Sequence, residues 1–159
     1  MCVPTEDTHQ MSGKRGPSLP SVRLIAHLML ADYAVVSEGK LYLSGGGWTR
    51  ALSSAVVMAI GGVIIKPWQQ LDTSTELSLR LVRGDGATVL IETPAGPRPF
   101  EATAVIAAEK PAKLPRGADA SAPFGFSFPR PQLASGSYAF IVSSDLDGEI
   151  ARLPFEVDD

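Results

Sequence analysis

The chain has one cysteine, Cys2, two histidines, two tryptophans and no asparagine, and charged residues make up only 19% of its 159 positions. Each scarcity removes a class of function. One cysteine forms no internal disulfide and no cysteine-rich zinc site, so the fold does not call for an oxidising compartment. The 14 Lys and Arg residues are outnumbered by 17 Asp and Glu, for a net charge of −3, and no basic cluster exceeds Lys14-Arg15. Binding to phosphates needs a patch that displaces their counterions, so nucleic acid is not an expected partner. The longest uncharged run, residues 51–65, falls short of the roughly 20 residues that cross a bilayer. Ser53, Ser54, Gly61 and Gly62 interrupt it further, so no membrane partner is expected. Glu6, Asp7, Lys14, Arg15 and Pro17 stand where a secretory signal would be apolar, and a cytoplasmic location is the expectation.

Catalytic groups are equally sparse. His27 is the one histidine within the patterned part of the chain, because His9 sits in the polar leader. A nucleophile–base pair needs an orienting group behind the base, and no G-x-S-x-G elbow, H-E-x-x-H, C-x-x-C, Walker A or G-x-G-x-x-G motif is present. Neither a catalytic residue nor a cofactor is expected, and the chain reads as a non-enzyme.

What is there is β-pattern. The length fits one domain, read as residues 21–159 after a polar, Pro/Gly/Ser-containing tail over 1–20, within which Met11 is an alternative start. From Val22 the residues alternate: Val22, Leu24, Ala26, Leu28 and Leu30 to one side, Arg23, Ile25, His27 and Met29 to the other. That period of two is a half-buried strand. Residues 32–36 continue extended, 37–40 form a hairpin turn around Gly39, and 41–43 return. The Val- and Ile-rich stretch 55–65 predicts a central strand covered on both faces, with Gly61-Gly62 marking a bulge or a close backbone approach. Leu77, Leu79 and Leu81 alternate with Glu76, Ser78 and Arg80. Residues 83–86 predict a second hairpin turn, with 88–92 as its return strand. Further alternation spans 100–106, Phe124-Phe126-Phe128, Tyr138-Phe140-Val142 and Ala151-Leu153-Phe155-Val157, the last two joined by a turn at 145–148. Residues 107–122 form a loop long enough to suggest a function. Many short strands with Gly-containing turns predict an all-β protein, an antiparallel β-sandwich of immunoglobulin-like or C2-like architecture.

A few strings are distinctive enough to carry a site. Asp145, Asp147 and Glu149 alternate around a glycine turn, a pattern that offers oxygens to calcium and is equally ordinary turn chemistry. Arg83-Gly84-Asp85 spells an adhesion tripeptide, but at a hairpin tip it reads as a turn. Gly45, Gly46 and Gly47 either converge backbone N–H groups into an anion-binding nest or let a strand kink between sheets. Trp48 follows as a core plug or a partner anchor. Phe124, Phe126 and Ser127 lie in a strand with no charge, whose phenylalanines can fill the core; if the strand ends its sheet, its open edge or the adjacent loop 109–122 invites association, with Lys113 and Arg130 at the rim.

Residues 27–36 (HLMLADYAVV), 39–43 (GKLYL) and 45–50 (GGGWTR) resemble the N-terminal signature of a bacterial family of unknown function, DUF6941. Gly136-Ser137-Tyr138-Ala139-Phe140, Asp147-Gly148-Glu149 and Pro154-Phe155-Glu156-Val157 look like its ending, while 109–122 match nothing in it. The resemblance implies a β-sandwich and carries no activity and no site residue. The function expected is a non-enzymatic interaction or structural module, self-associating or bound to a protein partner. The alternative is a sandwich that binds carbohydrate, or calcium at the Asp-containing turns.

Overall fold

The computed structural model describes residues 23–53, 58–128 and 131–159. The alternating segments form strands β1 (Ile25–Ala31), β2 (Tyr33–Ser37), β3 (Lys40–Ser44), β4 (Arg50–Leu52), β5 (Met58–Lys66), β6 (Ser74–Arg83), β7 (Leu90–Ile91), β8 (Arg98–Pro99), β9 (Glu101–Ala107), β10 (Ala120–Phe128), β11 (Gly136–Ser144) and β12 (Gly148–Asp158). One 3-10 turn, Trp68–Gln70, follows β5. Among the described residues there is no α-helix, and no helix is long and apolar enough to cross a membrane.

The protein is all-β. Three strands form one sheet in the order β1-β5-β10, and five form another in the order β4-β12-β11-β6-β9. Every pairing is antiparallel except β12 with β4. The two sheets contribute to one core. Leu30, Ile60, Ile64, Phe124 and Phe126 from the first meet Leu77, Leu79, Leu81, Phe140 and Phe155 from the second. Phe126, Phe128 and Phe140 stack at 6.2 and 5.8 Å between ring centroids. The expected core residues Leu77, Leu79, Leu81, Tyr138 and Phe155 are buried, and Leu153 is half-buried against them.

β5 is the central strand of its sheet, as its uncharged run predicts. The paired glycines are a close approach and not a bulge, since the register with β1 and β10 runs unbroken through them. A Cβ on Gly62 would lie 2.5 Å from the His27 carbonyl and 2.7 Å from the Phe124 ring. On the opposite face, a Cβ on Gly61 would collide with the Leu43 side chain.

Three segments differ from their sequence patterns. Residues 32–36 do not extend β1: the chain bends at Asp32, and β2 pairs with β3 alone. The 83–86 turn closes with the Gly86 N–H on the Arg83 carbonyl at 2.9 Å, but its return strand peels away. The Leu81 N–H donates to the Phe100 carbonyl, so the segment that becomes β9 takes the side of β6 that 88–92 would have lined. The return strand stays beside β6 only through Val89, with Thr88 opposite Val82 and the Val89 N–H on the Leu81 carbonyl at 2.9 Å; Leu90 and Ile91 then fold out and pair with Pro99 and Arg98. The long connection before β10 is also shorter than expected, because pairing with β5 begins at Ala120.

Candidate interaction surface

The β2–β3 hairpin forms a third layer, laid on the face of the three-stranded sheet that points away from the core. Its turn, Glu38-Gly39, has φ of 51° and 69°, the left-handed pair that a two-residue hairpin requires. The chain enters the layer at the Asp32 bend, where the Asp32 N–H donates to the Ser44 carbonyl at 3.0 Å. It leaves through the triple glycine, where the Gly47 N–H donates to the Leu30 carbonyl at 2.8 Å. Gly45 and Gly47 have φ of 63° and 92°. A Cβ on Gly45 would strike the Asp32 carboxylate, and one on Gly46 would reach within 3.0 Å of the Met29 sulfur. The glycines are therefore the crossing point between layers. An anion at this point would meet the Asp32 carboxylate, and that repulsion weighs against the nest reading.

The inner face of the hairpin fits the sheet below. Leu41 and Leu43 fill the space over Gly61, and the Ala34 methyl lies 3.4 Å from where a Gly125 side chain would begin. Ser127 fastens the layer, its hydroxyl donating to the Ala34 carbonyl at 3.0 Å. The outer face carries Tyr33, Val35 and Tyr42, at 54%, 36% and 49% exposure. Val35 and Tyr42 are cross-strand partners. Of the ten exposed large hydrophobic residues among those described, six (Ile25, Met29, Tyr33, Val35, Val36 and Tyr42) lie on β1, β2 and β3.

The sequence-selected residues fall around this layer more than on it. Gly45, Gly46 and Gly47 hold its root, and Ser127 is its anchor. Trp48 is half-buried, edge-on to Phe155 at 6.2 Å, and its buried indole N–H has no partner among the described residues. Phe124 and Phe126 are core. β10 is at the edge of its sheet, as the open-edge reading requires. That reading overlooked Pro123, which stands inside the strand opposite Val63. A proline fits an edge strand where its missing N–H would face outward, and it interrupts that edge as a template. Arg130 lies outside the described residues, as do Cys2 and His9. Lys113 is exposed in the loop before β10.

The acidic turn does not gather its carboxylates. Asp147 accepts the Leu24 N–H at 2.9 Å, Asp145 accepts the Glu76 N–H at 3.2 Å, and Glu149 pairs with Arg152 at 3.0 Å. Among the described residues, no group of three or more His, Cys, Asp or Glu is placed to hold a metal. His27 is exposed on the outer face of β1, opposite Val63. A cleft of about 620 Å³ opens beside Leu90, Phe100, Phe128 and Pro131, rimmed by Glu92 and Glu101.

One buried group escaped the sequence reading. Lys66, at the end of β5, is fully buried and donates to the Thr73 carbonyl at 2.6 Å. Burial holds its ammonium below the usual lysine range, and the nearby Asp145 carboxylate acts in the opposite direction. Its only signal in the sequence is a lysine closing an apolar run, which reads equally as a strand end reaching water. Beside it, Lys110 bridges Asp72 at 3.1 Å and lies over the Trp68 ring at 5.0 Å. The Lys110 backbone N–H, then its ammonium, hold the Asp72 carboxyl below the usual range. These contacts seal the end of the core around the 67–73 connection.

No known family model and no curated protein matches this chain.

Proposed function

We propose that the chain is a non-enzymatic interaction module of immunoglobulin-like or C2-like sandwich type, working in the cytoplasm, and that it contacts a protein partner through its outer hairpin layer. The observation that carries this reading is the concentration of exposed apolar side chains on β1–β3, with Tyr33, Val35 and Tyr42 on one free face. Contiguous exposed apolar patches on soluble proteins mark contact sites. Tyrosine suits such a face, since it brings a large ring, a polar tip and little entropy to lose.

The test is a Tyr33→Ser/Tyr42→Ser double variant. Both side chains are about half exposed, so its melting temperature should stay close to that of the wild type. Capture of a protein from the native host, or self-association in sedimentation velocity, should be lost in the variant. Undiminished association would remove the Tyr33–Tyr42 face from consideration. A carbohydrate ligand is the second reading, favoured by two exposed tyrosines on one face. Binding on a glycan array that the double variant loses, with no protein captured, would select it.

A further inference from the structure

The hairpin layer has one edge tied down and one edge open. In a hairpin with a two-residue loop, the closing pair Ser37–Lys40 is hydrogen-bonded, and the pairs alternate from there. The backbone groups of Ala34 and Val36 therefore point out from β2, and those of Leu41 and Leu43 point out from β3. The β2 side is engaged, because the Ala34 carbonyl accepts Ser127. Among the described residues, no hydrogen bond reaches the outward groups of Leu41 and Leu43.

The register of the sheet beneath shows what lies beside that edge. Its outward face runs in rows: Ala31–Ala59–Ser127, Met29–Gly61–Gly125, His27–Val63–Pro123 and Ile25–Ile65–Ser121. β2 sits over the β10 ends of the first two rows, through Ser127 and Gly125, and β3 over the second through Gly61. The remaining two rows continue beyond β3. They form an apolar shelf of Ile25, Val63, Ile65 and Pro123, with Ile25 53% exposed and the other three half-buried.

We infer that β3 receives an extended segment of a partner protein, which adds as a third strand along Leu41–Leu43 and lies over this shelf. The inference rests on the hairpin layer being the interaction surface and names its partner class. Alternate residues of the segment face the shelf and are apolar. Lys40, exposed at the head of β3 and in no ion pair among the described residues, favours a carboxylate at the segment's C-terminal end if it runs antiparallel. A second copy of the chain fits poorly. Symmetric antiparallel pairing of two β3 strands needs a two-fold axis perpendicular to the layer, and each copy's own three-stranded sheet would then occupy the place of the other's shelf.

The probe is the peptide acetyl-Thr-Val-Thr-Val-Thr-Val-Glu, titrated into the intact protein and followed by amide and methyl NMR. Without peptide, the Leu41 and Leu43 amides should exchange quickly while that of Tyr42 is protected. With peptide at millimolar concentration, both leucine amides and the Ile25, Val63 and Ile65 methyls should shift. Methylation of alternate peptide nitrogens should weaken binding by about tenfold or more, and Lys40→Glu should weaken it too. Three results overturn the inference: no shift at saturating peptide, shifts centred on Tyr33 and Tyr42, or a concentration-dependent dimer that protects Leu41 and Leu43. The second of these would leave the hairpin layer standing as the interaction surface, whereas full association by the Tyr33→Ser/Tyr42→Ser variant would remove its tyrosine face alone.

Discussion

The two sheets face the same core but differ on their outer sides. On the five-stranded sheet, Glu76, Ser78, Arg80, Glu101 and Thr103 point outward, beside the exposed Val105 and a small apolar cluster of Val82, Ala139 and Ile141, the last in register between Arg80 and Arg152. Water and long polar side chains finish that face. On the three-stranded sheet the corresponding residues are Ala59, Gly61, Val63, Ile65, Pro123 and Gly125, and half of the face is finished by the β2–β3 hairpin. A sheet apolar on both sides needs a third layer, and here that layer stops short. The uncovered half is where the protein has surface to offer.

The comparison can be broken at the glycines. Gly62→Val should have the largest effect, because the His27 carbonyl is backbone and cannot step aside. We expect a loss above about 4 kcal/mol, or no folded protein, read by chemical denaturation. Leu79→Ala, on the buried side of the other sheet, should cost about 2–5 kcal/mol. Gly61→Ala meets only leucine side-chain ends, so we expect about 1–3 kcal/mol. Its signature should be local: faster hydrogen exchange in β2 and β3, with β6 and β11 unchanged. If all strands loosened together, the hairpin would be part of one cooperative unit and not a separate layer.

Lys66 sharpens the comparison through pH. Its amine titrates below the ordinary lysine range when folded, so in the window between its lowered value and that range the unfolded chain binds more protons. Stability should therefore rise with pH across that window, and level off at its lower value once pH is below the folded value. Lys66→Met should flatten this rise in urea midpoints measured from neutral to strongly alkaline pH. An identical slope in the variant would assign the rise to other groups. The smallest effect is expected at the acidic turn. Asp147→Ala removes one hydrogen bond from the Leu24 N–H, for about 1 kcal/mol. Calcium and EDTA should leave the melting temperature unmoved, and a calcium shift abolished by Asp147→Ala would restore the metal reading.

Much of the strand inventory was legible, because a period of two appears wherever one face meets the core and the other meets water. The hairpin turn at 37–40, the central position of β5 and the buried leucines of β6 all follow from that rule. The candidate surface was not legible on the same terms. Tyr33, Val35 and Tyr42 alternate with Ala34, Leu41 and Leu43, so the hairpin is apolar on both faces and the pattern does not say which is covered. The triple glycine and the phenylalanine strand are the unusual strings in the sequence, and both serve the architecture around the hairpin. Pro123, one residue inside an otherwise uncharged strand, was the visible sign that β10 protects its own edge.

By itself, then, the sequence determined an all-β chain without the residues for a cysteine-rich metal site or a recognised catalytic motif, since composition and local alternation are properties each segment carries alone. Only the tertiary structure decided which strands are neighbours, that the chain leaves its sheet at Asp32, and that β3 ends with an open edge above an apolar shelf. Those depend on what lies opposite each residue. The missing side chains of Gly61 and Gly62 acquire meaning only when Leu43 and the His27 carbonyl arrive to fill the space.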